Sequence, residues 1–197
     1  MKKIIVFTLL LLSNEVFART AEAIFAGGNF WRLEASFNSI KGVLATVTGF
    51  DGGTSKDPTY EKVSKGHTQY VHAVRVIYNP DSISYAQIVD YFWRHIDPTV
   101  QNAQFCDSGP QYRSAIFYLN EKQKKIALAS KKAIEKKFKK IYTEIIPSTQ
   151  FYAADDEQQA YYQKHPFRYK YYLYRCGNNT RLQEIWGSSA ELSDNVR

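Results

Sequence analysis

The chain has 197 residues, a hydrophobic fraction of 44% and a formal net charge of +7. That length and apolar content suit one domain with a sizeable core and exclude a disordered or low-complexity chain. The basic charge comes without a nucleic-acid-binding motif, so no nucleic-acid partner is expected.

Met1-Lys2-Lys3 opens the chain, an apolar run from Ile4 to Leu12 follows, and Val16-Phe17-Ala18 closes the segment. This is the three-part pattern of a secretory signal peptide over residues 1–18, cleaved after Ala18. The run is too short to span a bilayer, and nothing later is apolar enough to do so. Residues 19–197 are therefore expected to form one exported monomeric domain, periplasmic or secreted, with no stable membrane insertion.

Ala21 to Ala26 reads as a strand that ends in Gly27-Gly28. A helix then starts, with Phe30, Leu33, Phe37 and Ile40 at three- and four-residue spacing and Asn29 at its N-cap position. A helix N-terminus carries unpaired N–H groups and partial positive charge, suited to holding an anion or to lowering the pKa of a thiol. Gly42 to Phe50 is a second strand, and Thr54 to Lys65 reads as loop. Tyr70 to Tyr78 alternates and is a third strand. Ser84 to Ile96 reads as a helix. Val100 to Arg113 is a long aperiodic loop, of a kind that is often functional.

Ser114 to Tyr118 is a short strand. Nine lysines between Lys122 and Lys140 face away from Ile126, Ala133, Ile134, Phe138 and Ile141, the pattern of an amphipathic helix with a solvated face. Tyr142 to Ile146 reads as a strand, Asp155 to His165 as a helix with an acidic first turn, and Tyr169 to Arg175 as extended. Strands and helices mix without strict alternation, which gives an α+β class with a mixed β-sheet and flanking helices. Cys106 and Cys176 are the only cysteines. An even count in an exported chain suggests a disulfide, whose loop of roughly 70 residues would contribute on the order of 4 kcal/mol through chain entropy. His67 and His72 are five apart, an odd spacing that puts them on opposite faces if both lie on the strand, so no metal site is expected.

Gly27-Gly28-Asn29-Phe30-Trp31 resembles the glycine-cysteine-phenylalanine-tryptophan signature of the peptide methionine sulfoxide reductase A family. The resemblance continues through Gly49-Phe50-Asp51-Gly52-Gly53, Pro58-Thr59-Tyr60-Glu61, Asp107-Ser108-Gly109-Pro110-Gln111-Tyr112-Arg113-Ser114 and Trp186-Gly187, and so covers nearly all of residues 19–197. It implies the family's ferredoxin-like core, and a reaction that needs no bound cofactor. In that reaction a cysteine thiolate attacks the sulfur of methionine S-sulfoxide in a peptide or protein, an acid protonates the oxygen, and methionine leaves. The resulting sulfenic acid is resolved as a disulfide, and an external thiol, thioredoxin-like or a dithiol, restores the enzyme.

By position, the resemblance places Phe30 and Trp31 around the substrate methyl group, Tyr60 and Tyr112 on its oxygen, and Asp107 as the acidic residue near the site. Asn29 falls on the nucleophile position and His72 on the proton-donor position. An asparagine amide is not ionised near neutral pH and cannot attack as a thiolate does. Each residue also has a plain structural reading: Asn29 as a helix cap, Phe30, Trp31 and His72 as core, Asp107 as a turn residue. Three readings follow. The chain is an enzyme of altered mechanism, with Cys106 as substitute or resolving thiol and Cys176 as recycling thiol. Or it is a catalytically silent module binding methionine sulfoxide or methionine side chains. Or it is an ordinary reductase whose position 29 has been changed.

Overall fold

The computed structural model describes residues 19–190. The segment read as a signal peptide, residues 1–18, lies outside the described residues. β1 (Ala21–Ala26) leads into α1 (Phe30–Asn38), followed by β2 (Val43–Asp51), the short α2 (Tyr60–Ser64), β3 (Val71–Tyr78) and α3 (Tyr85–Arg94). A small hairpin, β4 (Ala103–Gln104) and β5 (Asp107–Ser108), precedes β6 (Ala115–Tyr118). Then come α4 (Glu121–Ile134), β7 (Glu144–Pro147), β8 (Tyr152–Ala153), α5 (Tyr161–Lys164), α6 (Pro166–Arg175) and α7 (Asn178–Trp186).

Six strands form one sheet in the order β7-β6-β1-β3-β2-β8. β1 pairs antiparallel with β3 and β6, and β2 pairs antiparallel with β3 and β8. β6 and β7 are parallel, as a connection through a helix such as α4 allows. The sheet is therefore mixed and flanked by helices, in agreement with the α+β expectation.

β1 alternates across this sheet. Ala23 and Phe25 face the helices, where the Phe25 ring lies 5.1 Å from Phe37 of α1 and 4.9 Å from Phe92 of α3. Ile24 and Ala26 face the other side, with Val71, Ala73, Ala115 and Phe117, under Phe151. The period of two thus serves two cores, which is why β1 reads as a nearly continuous apolar run. α3 begins with a capping box in which the Ser84 hydroxyl accepts from Gln87 N–H and the Gln87 side chain accepts from Ser84 N–H.

Four expectations change. Within the stretch read as loop, α2 forms one short turn capped by Thr59, whose Oγ1 accepts from Lys62 N–H at 3.3 Å. Five residues are too few to show a helical period. Tyr169–Arg175 is helical, not extended: Pro166 starts α6, and Tyr169 packs inward while Tyr171 and Tyr174 point to solvent. Tertiary packing there overrides the strand preference of a tyrosine run.

The single helix expected over Asp155–His165 is broken by Ala160, at φ 50°, into a 3-10 turn and α5. The lysine-rich helix ends at Ile134, before its last lysines. α7 buries Leu182 and Trp186 one turn apart, and Trp186 Nε1 donates to Ile96 O at 2.9 Å.

β8 has only two residues, yet it brings the segment that follows it over the N-terminal end of α1. Gly49 pairs with Ala153 there, and a Cβ at Gly49 would collide with the Tyr152 carbonyl and sit 2.5 Å from the Phe151 ring. Gly49→Ala should therefore cost about 1–3 kcal/mol, from overpacking against backbone, in urea unfolding.

Candidate functional site

The turn between β1 and α1 is built by Gly28, at φ 83°, whose N–H donates to Tyr112 O at 3.1 Å. A Cβ there would lie 2.9 Å from Gln104 Cβ, so glycine answers both the conformation and the close approach. Asn29 follows as the N-cap of α1, and its Oδ1 accepts from Trp31 N–H at 3.2 Å. Its backbone N–H donates to Asp107 Oδ2 at 3.0 Å, and its Nδ2 donates to the Tyr60 hydroxyl at 3.3 Å. At 5% exposure, one amide ties α1 to itself, to α2 and to the β4–β5 hairpin.

Phe30 and Trp31 have different surroundings. Phe30 is fully buried, with its ring 4.6 Å from His72, 5.8 Å from Phe50 and 5.9 Å from Tyr60. Trp31 is half-buried and clamped: it stacks on Tyr161 at 3.9 Å and 8°, and meets the Tyr172 ring edge-on at 5.8 Å. The Tyr60 ring lies nearly parallel to it at 6.0 Å. Trp31 Nε1 donates to Gln158 Oε1 at 3.0 Å.

His72 is fully buried on β3, its ring 4.9 Å from Tyr112 and its Nε2 3.2 Å from Ser64 Oγ, with no partner for Nδ1. Burial pushes its pKa down to about 3, so the imidazole is neutral at physiological pH. Burial also raises the Tyr60 and Tyr112 hydroxyls, which stay protonated.

Asp107 sits on β5. Burial pushes its carboxyl up, while bonds from the Tyr172 hydroxyl and the Asn29 N–H pull it down. The Tyr172 O–H donates to Asp107 Oδ2 at 2.5 Å. Cys106 precedes Asp107 at the hairpin tip and is disulfide-bonded to Cys176, the C-cap of α6, with Cα atoms 4.9 Å apart.

Asn29, Phe30, Trp31, Tyr60, His72, Asp107 and Tyr112 thus meet in one contiguous cluster. Cys106 and Cys176 meet each other beside it. Sequence reasoning missed Tyr161 and Tyr172, which lie more than 120 residues from the α1 turn and carry no motif. It also missed Glu34, whose Oε1 accepts from Ala160 N–H at 2.9 Å and so fixes the bend that delivers Tyr161 to Trp31. Among the described residues, no group of three His, Cys, Asp or Glu side chains is placed to hold a metal ion.

A family model described as peptide methionine sulfoxide reductase matches residues 21–190. The peptide methionine sulfoxide reductase MsrA of Halalkalibacterium halodurans is 41% identical over 172 residues, 86% of this chain and 98% of that protein. The MsrA of Methanosarcina acetivorans is 47% identical over 162 residues, 79% of this chain and 86% of that protein. Among solved structures, reduced Mxr1 from Saccharomyces cerevisiae matches with a TM-score of 0.72 at 30% identity, over 76% of this chain and 88% of that one. Methionine sulfoxide reductase A of Corynebacterium diphtheriae matches with a TM-score of 0.72 at 31% identity, over 75% and 76%.

The buried titratable groups set a pH dependence. His72 and His95 are both held near 3 by burial, against about 6.5 in an unfolded chain, so the unfolded chain binds protons that the native one refuses. Their contribution is lost as pH falls below about 6.5. Burial raises Glu34 to about 7, so there the native state holds the extra proton and the effect runs the other way, lost as pH rises.

Asp107, also raised by burial, acts as Glu34 does but from a lower starting value, so the two histidines prevail between pH 6.5 and 5 and predict a net loss of stability, each group limited to about 1.4 kcal/mol per pH unit. Urea unfolding across that window checks it: Glu34→Gln should steepen the loss and His72→Gln should flatten it.

Proposed function

This chain belongs to the peptide methionine sulfoxide reductase A family, and from that premise we propose that it recognises methionine sulfoxide side chains of exported polypeptides without reducing them through position 29. The observation that carries this reading is the state of Asn29. Its oxygen is committed to the Trp31 N–H and its nitrogen to Tyr60, and no sulfur occupies the α1 N-terminus. An amide there can donate a hydrogen bond to a ligand oxygen but cannot form the sulfenic acid on which the family reaction depends.

The rest of the cluster suits the ligand. Because Tyr60 accepts from Asn29, its own proton is left for an acceptor. Tyr112 supplies a second protonated hydroxyl, and a sulfoxide oxygen is such an acceptor. Trp31, Tyr60 and Tyr172 offer aromatic surface to an S-methyl group. Export rests on the pattern of residues 1–18.

A second reading is favoured by the place of Cys106, one residue from a carboxylate that touches the Asn29 N–H. After an external dithiol, thioredoxin-like in this family, has opened the disulfide, the Cys106 thiolate attacks the sulfoxide sulfur. The oxygen takes a proton, its bond to the methionine sulfur breaks as it passes to the Cys106 sulfur to give a sulfenic acid, and methionine leaves as the thioether. The Cys176 thiol then displaces the oxygen as water and re-forms the disulfide.

Dithiol-driven turnover of a peptidyl methionine S-sulfoxide, run beside Asn29→Cys, separates the two. The first reading expects a wild-type protein that binds the peptide without turnover, and an Asn29→Cys variant whose rate rises by at least about a hundredfold. Wild-type turnover that disappears in Cys106→Ser selects the second. Under either, Trp31→Ala should weaken peptide binding roughly ten- to hundredfold, or about 1–3 kcal/mol, by calorimetry. Unchanged affinity removes Trp31 from the site.

A further inference from the structure

The Cys106–Cys176 disulfide stands at both ends of one hydrogen bond. Cys106 is adjacent to Asp107 at the hairpin tip, where Phe105 is held at φ 53°. Cys176 lies one helical turn after Tyr172, whose hydroxyl donates to Asp107 Oδ2. The same carboxylate oxygen receives the Asn29 N–H, so Cys106 is one residue and one hydrogen bond from the N-terminus of α1.

Besides this, α6 is held by Tyr169, buried with its ring 6.0 Å from Tyr162, and by the edge contact of Tyr172 with Trp31. Its outer face carries Phe167, Tyr171 and Tyr174, which are 87%, 64% and 83% exposed. Its inner face presents Tyr169 and Tyr172 to a buried guanidinium, Arg32, whose Nη2 donates to the His95 carbonyl and which lies over the Phe105 ring, while its Nε and Nη1 and the Tyr169 hydroxyl have no partner. A buried charge short of partners disfavours the closed arrangement. α7 beyond it is anchored separately, by Trp186 on Ile96 and by Arg181 Nε on Asp97 at 2.7 Å.

We propose that Tyr172 is a positioning residue for the ligand pocket and that the Cys106–Cys176 disulfide holds it there, so that a dithiol reductant loosens the pocket. Two electrons and two protons pass from the dithiol to the S–S bond; Cys106 and Cys176 become thiols and the reductant closes its own disulfide. α6 then relaxes from Arg32, Tyr172 leaves Asp107, and Asp107 loses the second of its two donors. The edge of the Trp31 clamp opens with it. The ligand arm of the test rests on the proposed function; the exchange arm does not.

Amide hydrogen exchange on the mature protein, oxidised and after dithiothreitol, reads the latch directly. Exchange over residues 166–175 should quicken at least about tenfold on reduction, with α7 and β1 unchanged. Unchanged exchange in α6 overturns the latch. Calorimetry with a short peptide bearing one methionine S-sulfoxide reads the pocket, and affinity should fall about tenfold on reduction and in a Cys106→Ser, Cys176→Ser double variant.

Tyr172→Phe keeps the ring and loses the hydroxyl. In the oxidised protein it should lower peptide affinity and raise the titration midpoint of the Asp107 carboxyl by carbon-detected NMR, while α6 stays protected. If Tyr172→Phe matches the wild type in affinity and midpoint, Tyr172 only packs and the positioning role is overturned. Oxidised protein that binds no peptide overturns the proposed function, while exchange and the Asp107 titration still decide the latch and Tyr172.

Discussion

One carboxylate oxygen, Oδ2 of Asp107, receives the backbone N–H of Asn29 from one side and the hydroxyl of Tyr172 from the other. Three separate pieces of chain meet on it: the start of α1, the β4–β5 hairpin and α6. The hairpin is itself held from behind. Gln104 accepts from the Asp97 N–H at 2.9 Å and donates to the Asp97 carbonyl at 2.6 Å, all of it buried. The N-terminus of α1 offers orphan donors and partial positive charge, and the carboxylate answers both. The place at which a helix would favour a bound anion or a thiolate is therefore already served by a negative group of the protein's own.

The neighbouring polar groups are kept uncharged. His72 is neutral by burial, Asn29 is an amide, and Tyr60 and Tyr112 keep their protons. A site of this kind offers hydrogen bonds and aromatic surface in quantity but holds no ionisable nucleophile. The two cysteine sulfurs are joined to each other at its rim. On the reading proposed above, such a site selects a strong neutral acceptor, such as a sulfoxide oxygen, rather than attacking it.

Much of this was legible in the sequence where the signal is local. The apolar run into Gly27-Gly28, the asparagine ahead of Phe30 and the periodicity through Phe37 gave the β1–α1 junction and its cap. Tyr60, Asp107 and Tyr112 could be placed by family resemblance, because their motifs are short and intact. The clamp on Trp31 was not legible. Gln158, Tyr161 and Tyr172 reach it only because β8 pairs with β2 and because Glu34 fixes the bend at Ala160. Two-residue pairings and single buried carboxylates leave no period to read. α6 misled for a related reason: a tyrosine-rich run favours strands in general, and the packing of Tyr169 and Tyr172 decided otherwise.

The cap at Asn29 sets stability against chemistry at a single position. A side-chain oxygen at this position satisfies an orphan donor of α1, and losing such a cap costs about 0.5–2 kcal/mol. A thiol in the same place would be the better nucleophile and the poorer cap. A cysteine placed there therefore trades fold stability for chemistry. It must also re-accommodate Tyr60, which now takes a bond from the amide. The asparagine is thus held from two sides, by the helix it caps and by the hydroxyl it meets, and a change at position 29 is felt at both.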